Sequence, residues 1–199
     1  MRRRTSDPAV RARRARAGRQ RITFALALSG ATILGLAACA QGRPALDAPA
    51  GSVVAGDLID MAADAVGATG TAGWTYEDGS PWDPSAPDII FSGEPCGPTD
   101  NSEAGRFLEF GLVGPPASVE PGDARDQMRG YLERNGYEVT RSMDPPPGNE
   151  PKNMYIVTGR RADGAFVDYG ANNAEQLLTL RSQCSAHPSM KGDVSAETR

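Results

Sequence analysis

The sequence predicts a single α+β domain: an antiparallel sheet of about five or six strands, two helices packed on one face, and one disulfide. Its 199 residues fill one core and are too few for two well-filled ones. Two segments repeat apolar residues at helical spacing, and several shorter ones alternate or run apolar. The later strands are joined by short turns, which connect antiparallel neighbours and cannot make a parallel crossover.

The folded part is expected over residues 56–184. Its first helix is signalled at 57–67, where Asp57 suits an N-cap and Leu58, Met61, Ala62, Ala65 and Val66 share one face. Gly67 or Gly70 stops it. Asp88–Gly93, DIIFSG, reads as a short strand ending at a Gly-Glu-Pro turn. Arg106–Val113 alternates, with Leu108, Phe110 and Leu112 on one side. A second helix opens at Pro121, whose fixed φ suits a first helical position and whose missing N–H costs nothing there. Ala124, Met128, Tyr131 and Leu132 form its stripe, and Asn135-Gly136 closes it. Tyr137–Met143 sets Tyr137, Val139, Arg141 and Met143 against Glu138, Thr140 and Ser142. Met154–Arg160 and Ala165–Tyr169 flank Asp163-Gly164, a hairpin-turn signal. Gln176–Cys184 is the last strand, with Leu178 and Leu180 inward. Residues 185–199 lack apolar periodicity and are expected to be a largely disordered tail.

The front of the chain is an address. Nine Arg lie between positions 2 and 21, and the 17-residue apolar run Ile22–Ala38 follows, interrupted by Ser29 and Gly30. A spanning helix needs about 20 mostly apolar residues. This run is shorter and ends in small residues, the shape of a secretory signal peptide over residues 1–38. Leu36-Ala37-Ala38-Cys39 resembles the lipobox of bacterial lipoprotein signal peptides: an aliphatic residue, two small ones, then Cys. The resemblance implies that Cys39 receives a diacylglyceryl group and becomes the mature N-terminus. Two acyl chains anchor stably where one binds marginally. The expected location is therefore the extracytoplasmic face of a cell membrane. An ordinary signal peptide with Cys39 incidental, and a retained single-pass anchor, are the other readings. Residues 39–55, small and proline-containing, are expected to be the lipidated Cys and a flexible tether, about 55 Å long at full extension.

Charge divides the same way. Residues 1–38 hold nine Arg and one Asp, whereas residues 39–199 hold 12 Lys and Arg against 24 Asp and Glu. A mature part that acidic is a poor partner for phosphate backbones, so no nucleic acid is expected. With Cys39 assigned to lipid, Cys96 and Cys184 remain, and two cysteines in an exported domain predict a disulfide. Two free thiols are the alternative. A nucleophilic one needs a base, and the only histidine, His187, stands three residues from Cys184 in the tail.

Few residues carry chemistry on their own. Glu77, Asp78, Asp83 and Asp88 have the oxygen ligands of a hard-cation site, but their spacing matches no EF-hand loop and a solvated acidic loop is the plainer reading. Trp74, Tyr76 and Trp82 either pack into the core or form a stacking platform for a sugar or peptide. Pro145-Pro146-Pro147 reads as a stiff loop, with a polyproline ligand as the alternative. No phosphate-cradling loop, zinc spacing or nucleophile elbow appears, so no catalytic residue, metal or cofactor is assigned.

Together with the leader, the turn from Ser92-Gly93 to Cys96-Gly97 after DIIF, the helix closed by Asn135-Gly136-Tyr137 and the ending Ser182-Gln183-Cys184 resemble small actinobacterial cell-surface lipoproteins, in particular the LppA-like group. The resemblance implies location and a disulfide; it implies no activity. The expected function is a non-enzymatic module that binds an envelope protein or glycan partner. A lipid or small-molecule carrier, and a hydrolase using Asp and Glu, are the alternatives.

Overall fold

A computed structural model describes residues 48–86, 89–97, 105–148 and 154–196. Helix α1 runs Gly51–Thr69 and buries Val54, Ala55, Leu58, Met61, Ala62 and Ala65. It stops at Gly70, whose φ of 64° is left-handed and whose N–H bonds the Gly67 carbonyl at 3.1 Å. Four short strands follow: β1 (Thr75–Tyr76), β2 (Ile90–Ser92), β3 (Glu94–Pro95) and β4 (Arg106–Phe107). Next come β5 (Glu109–Gly114) and helix α2 (Pro121–Arg134). The chain then makes β6 (Glu138–Met143), β7 (Tyr155–Arg160), β8 (Phe166–Ala171) and β9 (Gln176–Arg181). A short 3-10 helix, Pro188–Lys191, leads into β10 (Asp193–Ser195).

The fold is mixed α+β. One six-stranded sheet has the order β1-β5-β9-β8-β7-β6, and β10 with β2 and β3 with β4 form two small sheets. Every pair is antiparallel. Strands β6 to β9 form a meander, while α2 carries the chain from β5 to the far edge. Inward residues alternate as a pleat requires: Leu112 on β5, Leu178 and Leu180 on β9, Val167 and Tyr169 on β8, Val157 on β7 are all 1% exposed or less. Helix α2 touches β6, β7 and β8, and α1 touches α2, β9 and β10. Leu132 of α2 sits so close over Gly159 of β7 that an added Cβ there would meet its methyl at 3.0 Å. Burying one such leucine is worth about 1.5–3 kcal/mol. Among the described residues no helix is long and apolar enough to cross a membrane.

Local punctuation in the sequence reads true at several points. Pro121 opens α2, Asn135 caps it, and Gly136 follows at φ 77°. Asp163 turns the β7–β8 hairpin by accepting the Ala165 N–H at 3.0 Å, and Gly164 takes φ 95°. Cys96 and Cys184 form the disulfide, with Cα atoms 6.1 Å apart.

Four expectations need correction. Helix α1 begins at Gly51, not Asp57, inside the span read as tether, because its cap comes from afar: the Gly51 N–H donates to Ser189 Oγ at 2.8 Å. The folded body therefore starts before residue 56. It also runs past 184. Ser185 exchanges backbone hydrogen bonds with Arg106, both at 2.8 Å, and β10 pairs with β2, so residues 185–196 are structured rather than a disordered tail. Met190 and Val194 are buried in that segment; two apolar side chains that far apart leave no periodicity to read. Strand β6 does not alternate throughout, because the register shifts between Val139 and Arg141. Glu138 and Arg141 oppose Arg160 and Thr158 and so share one side, the mark of a bulge at Thr140. The segment Arg106–Val113 is split, since β4 pairs with β3 and β5 with β9.

Candidate functional site

At one end of the sheet, β5 leaves part of its outer edge uncovered. Strand β4 is paired by β3 at Phe107, and β1 pairs β5 at Leu112 and Val113. Between them, at Glu109–Gly111, no strand lies on that side among the described residues. Leu108 and Ser182 face each other: the Ser182 N–H donates to the Leu108 carbonyl at 2.9 Å and the Leu108 N–H to Ser182 Oγ at 2.9 Å. Antiparallel strands alternate the direction of their backbone groups. Leu108 and Phe110 thus address β9, while Glu109 and Gly111 address the open edge.

That edge borders an open groove of about 1210 Å³. Its aromatic side is Tyr76, Phe91 and Phe110, with Phe110 centroids 6.2 Å from Tyr76 and 5.5 Å from Phe91, both pairs tilted. Ile90, 64% exposed, stands at its border as the most exposed large hydrophobic side chain among the described residues. The polar side holds Glu77, Asp78, Glu94 and Glu109, and among the described residues no Lys, Arg or His lines the groove. Glu109 is fixed from behind by Arg181, Nη2 to Oε2 2.5 Å, whose guanidinium lies 4.0 Å from the Phe107 ring centroid and 4.7 Å from that of Phe166. Gly111 leaves room for Glu77: an added Cβ would lie 2.7 Å from the Glu77 carboxylate.

The acidic segment does not assemble as a cation site. Asp78 Oδ1 accepts the Ser80 N–H at 2.9 Å and the Ser80 hydroxyl at 2.6 Å. Asp83 Oδ1 does the same with Ser85, at 2.8 and 2.7 Å. These bonds, hydroxyl first and then amide, hold both carboxyls below the usual range. Each carboxylate closes its own turn. Among the described residues no three His, Cys, Asp or Glu side chains converge to hold a metal. Asp88 lies outside the described residues.

The aromatic trio divides. Trp74 is core: it is buried, its ring packs on Gly114 where an added Cβ would meet it at 2.7 Å, and its Nε1 donates to the Thr71 carbonyl at 3.0 Å. Trp82 is half-buried against the core, and Tyr76 alone of the three lines the groove. Burial first, then the Asp83 and Asp78 charges, push the Tyr76 phenol up, so it stays a neutral donor. His187 is a structural cap: its Nδ1 lies 2.8 Å from Ser189 Oγ and accepts the Ser189 N–H at 3.2 Å. Cys184, held in the disulfide, has no thiol to act as nucleophile. Pro145–Pro147 form the loop after β6, and neighbouring Asp144 pairs with Arg125 at 2.7 Å. Cys39 and the leader lie outside the described residues.

A second, smaller cavity of about 290 Å³ lies where α1 meets the end of α2, lined by Asp57, Asp60, Asp64, Tyr131, Tyr137 and Arg161. Burial first, then Tyr137 and Asp64, push the Tyr131 phenol up to about 12. Burial also raises Tyr137, opposed by the Arg161 guanidinium 6.0 Å from its ring.

Sequence reasoning missed the groove, whose lining comes from five separated stretches of chain. The one local signal was DIIF, an apolar run in which Phe91 is buried and Ile90 is not. No family model and no curated protein matches the chain. Among solved structures, it is similar to a DUF4853 family protein from Actinomyces odontolyticus, with 14% identity, 67% of each chain covered and a TM-score of 0.41.

Proposed function

We propose that this chain is a membrane-anchored extracytoplasmic lipoprotein of the LppA-like kind, and that its folded part is a non-enzymatic binding module. The anchor rests on the Arg-rich, apolar leader ending at Leu36-Ala37-Ala38-Cys39. The Cys96–Cys184 disulfide fits an oxidising compartment outside the cytoplasm. Because α1 begins at Gly51, at most 11 residues of chain separate it from Cys39, a reach of about 40 Å at full extension. The binding part would then stand close to the lipid headgroups.

The open groove beside Glu109–Gly111 carries the binding reading. Helix α2 packs against β6, β7 and β8, away from this edge of β5. A module of this kind needs an accessible surface that mixes apolar side chains with convergent polar groups. A carrier would need an enclosed apolar chamber, whereas the side chains between helices and sheet fill that space and the groove is open and half polar. Photo-cross-linking tests the reading. A benzophenone side chain at Ser92, exposed in the groove, should capture envelope material in intact cells. One at Glu133, exposed on α2, should not. Equal capture at both positions, or none at Ser92, would sink the groove as the binding surface.

A further inference from the structure

We propose that the uncovered edge at Glu109–Gly111 takes an extended peptide with basic side chains, paired as an added strand. The inference rests on the binding-module reading and names the occupant. Three observations bear on it. Glu109 and Gly111 turn their backbone N–H and C=O groups outward into the groove, between the stretches that β3 and β1 cover. A peptide backbone repeats the same donors and acceptors and can satisfy them in sequence, the mode by which strands add to sheet edges. The apolar side of the groove, with half-buried Phe110 and exposed Ile90, offers a place to alternate side chains of such a strand.

Charge selects among peptides. Glu77, Asp78, Glu94 and Glu109 face the groove, and among the described residues no basic side chain lines it. Glu77 and Glu94 make no ion pair among the described residues. An acidic occupant would meet like charge, and a neutral one would leave Glu77 and Glu94 without a countercharge, Glu109 being already paired with Arg181. A glycan is the weaker fit, because the aromatic rings are tilted against one another and Phe91 is only 5% exposed, so they form no flat shared platform for a sugar.

The test is an NMR titration of the isotope-labelled mature chain, held in nonionic detergent micelles, at low salt. Four probes are compared: the peptide Ac-KVKFKVK-NH2, its alternate N-methylated form, the acidic Ac-EVEFEVE-NH2, and cellohexaose. The basic peptide should bind and shift the amides of Glu109 and Gly111. N-methylation of the bonded edge should weaken it at least tenfold, and the acidic peptide should not bind. The double charge reversal E77K/E94K, at two exposed positions, should weaken the basic peptide at least tenfold while leaving the remaining spectrum native. Equal affinity for the N-methylated form would overturn strand addition. Binding of cellohexaose alone at this edge would overturn the peptide while leaving a groove that binds. Absence of binding by all four to a natively folded chain would overturn the inference, and the cross-linking contrast between Ser92 and Glu133 would then judge the groove separately.

Discussion

The backbone N–H of Gly51 donates to the hydroxyl of Ser189 across 138 positions of sequence, at 2.8 Å. Ser185 Oγ adds a second tie, donating to the Pro49 carbonyl at 2.5 Å. An added Cβ on Gly51 would lie 2.9 Å from Val194. The start of α1 is therefore built by the C-terminal segment. Ser189→Ala removes the side chain that caps the Gly51 N–H, which costs about 0.5–2 kcal/mol by analogy with local caps. Urea denaturation should show that loss, and amide exchange should accelerate at Gly51–Val54 more than in α2.

Gly93 meets the same segment. Its φ is not the constraint; an added Cβ would stand 2.4 Å from the Met190 carbonyl oxygen, too close for any real contact. Gly93→Ala should therefore push the 3-10 helix off β2 and cost about 1–3 kcal/mol, the range for overpacking. Limited proteolysis should cut the variant first between residues 185 and 196. Cleavage as slow as in the wild type would contradict the close approach.

The disulfide closes a loop of 88 residues. Removing a native bond from a small exported domain costs about 2–5 kcal/mol. Cys96→Ser with Cys184→Ser should lower the denaturation midpoint accordingly. The wild type should match the variant once a reductant is added, and not before.

Tyr169 donates to Gln176 Oε1 at 2.7 Å, and Gln176 Nε2 donates in turn to the Pro115 carbonyl at 2.7 Å. Gln176 is fully buried, so Tyr169→Phe leaves its Oε1 without a donor. The expected cost is about 1–3 kcal/mol. Tyr169→Phe combined with Gln176→Leu should recover part of it, whereas a cost equal to the sum of the two single changes would mean the groups do not act as a pair.

High pH should destabilise the protein through its buried phenols, of which Tyr131 is one. Its phenol titrates near 12 in the folded chain against 10 when unfolded, first through burial and then through Tyr137 and Asp64. A raised acid contributes stability while it stays protonated. That contribution is intact below 10, falls as the unfolded phenol ionises, and is gone above about 12. Stability should thus decline from pH 10 upward, and Tyr131→Phe should flatten the decline. An unchanged slope would contradict the assignment.

What was legible in the sequence was local. Pro121 and Asn135-Gly136 bracket α2 because the residues that start and stop it lie next to it. Asp163-Gly164 marks its hairpin for the same reason, and setting Cys39 aside left Cys96 and Cys184 to pair. What was illegible was contributed from a distance. The cap of α1 stands on Ser189, and the bulge at Thr140 shows only in the register against β7. The groove gathers Tyr76, Phe91, Glu94 and Glu109, none informative alone, around an edge that pairing patterns leave open. Asp78 and Asp83 were legible as a solvated acidic loop, and each turns one carboxylate oxygen to the neighbouring Ser80 or Ser85.

Whether Cys39 carries lipid, as we propose, decides whether this acidic body works at a membrane. Mass spectrometry of the N-terminal peptide from native cells reads it directly. The expected peptide begins at Cys39, lacks residues 1–38 and carries a diacylglyceryl adduct that Cys39→Ser abolishes. An unmodified thiol at Cys39, or a chain that still bears its arginine-rich leader, would contradict the lipid anchor.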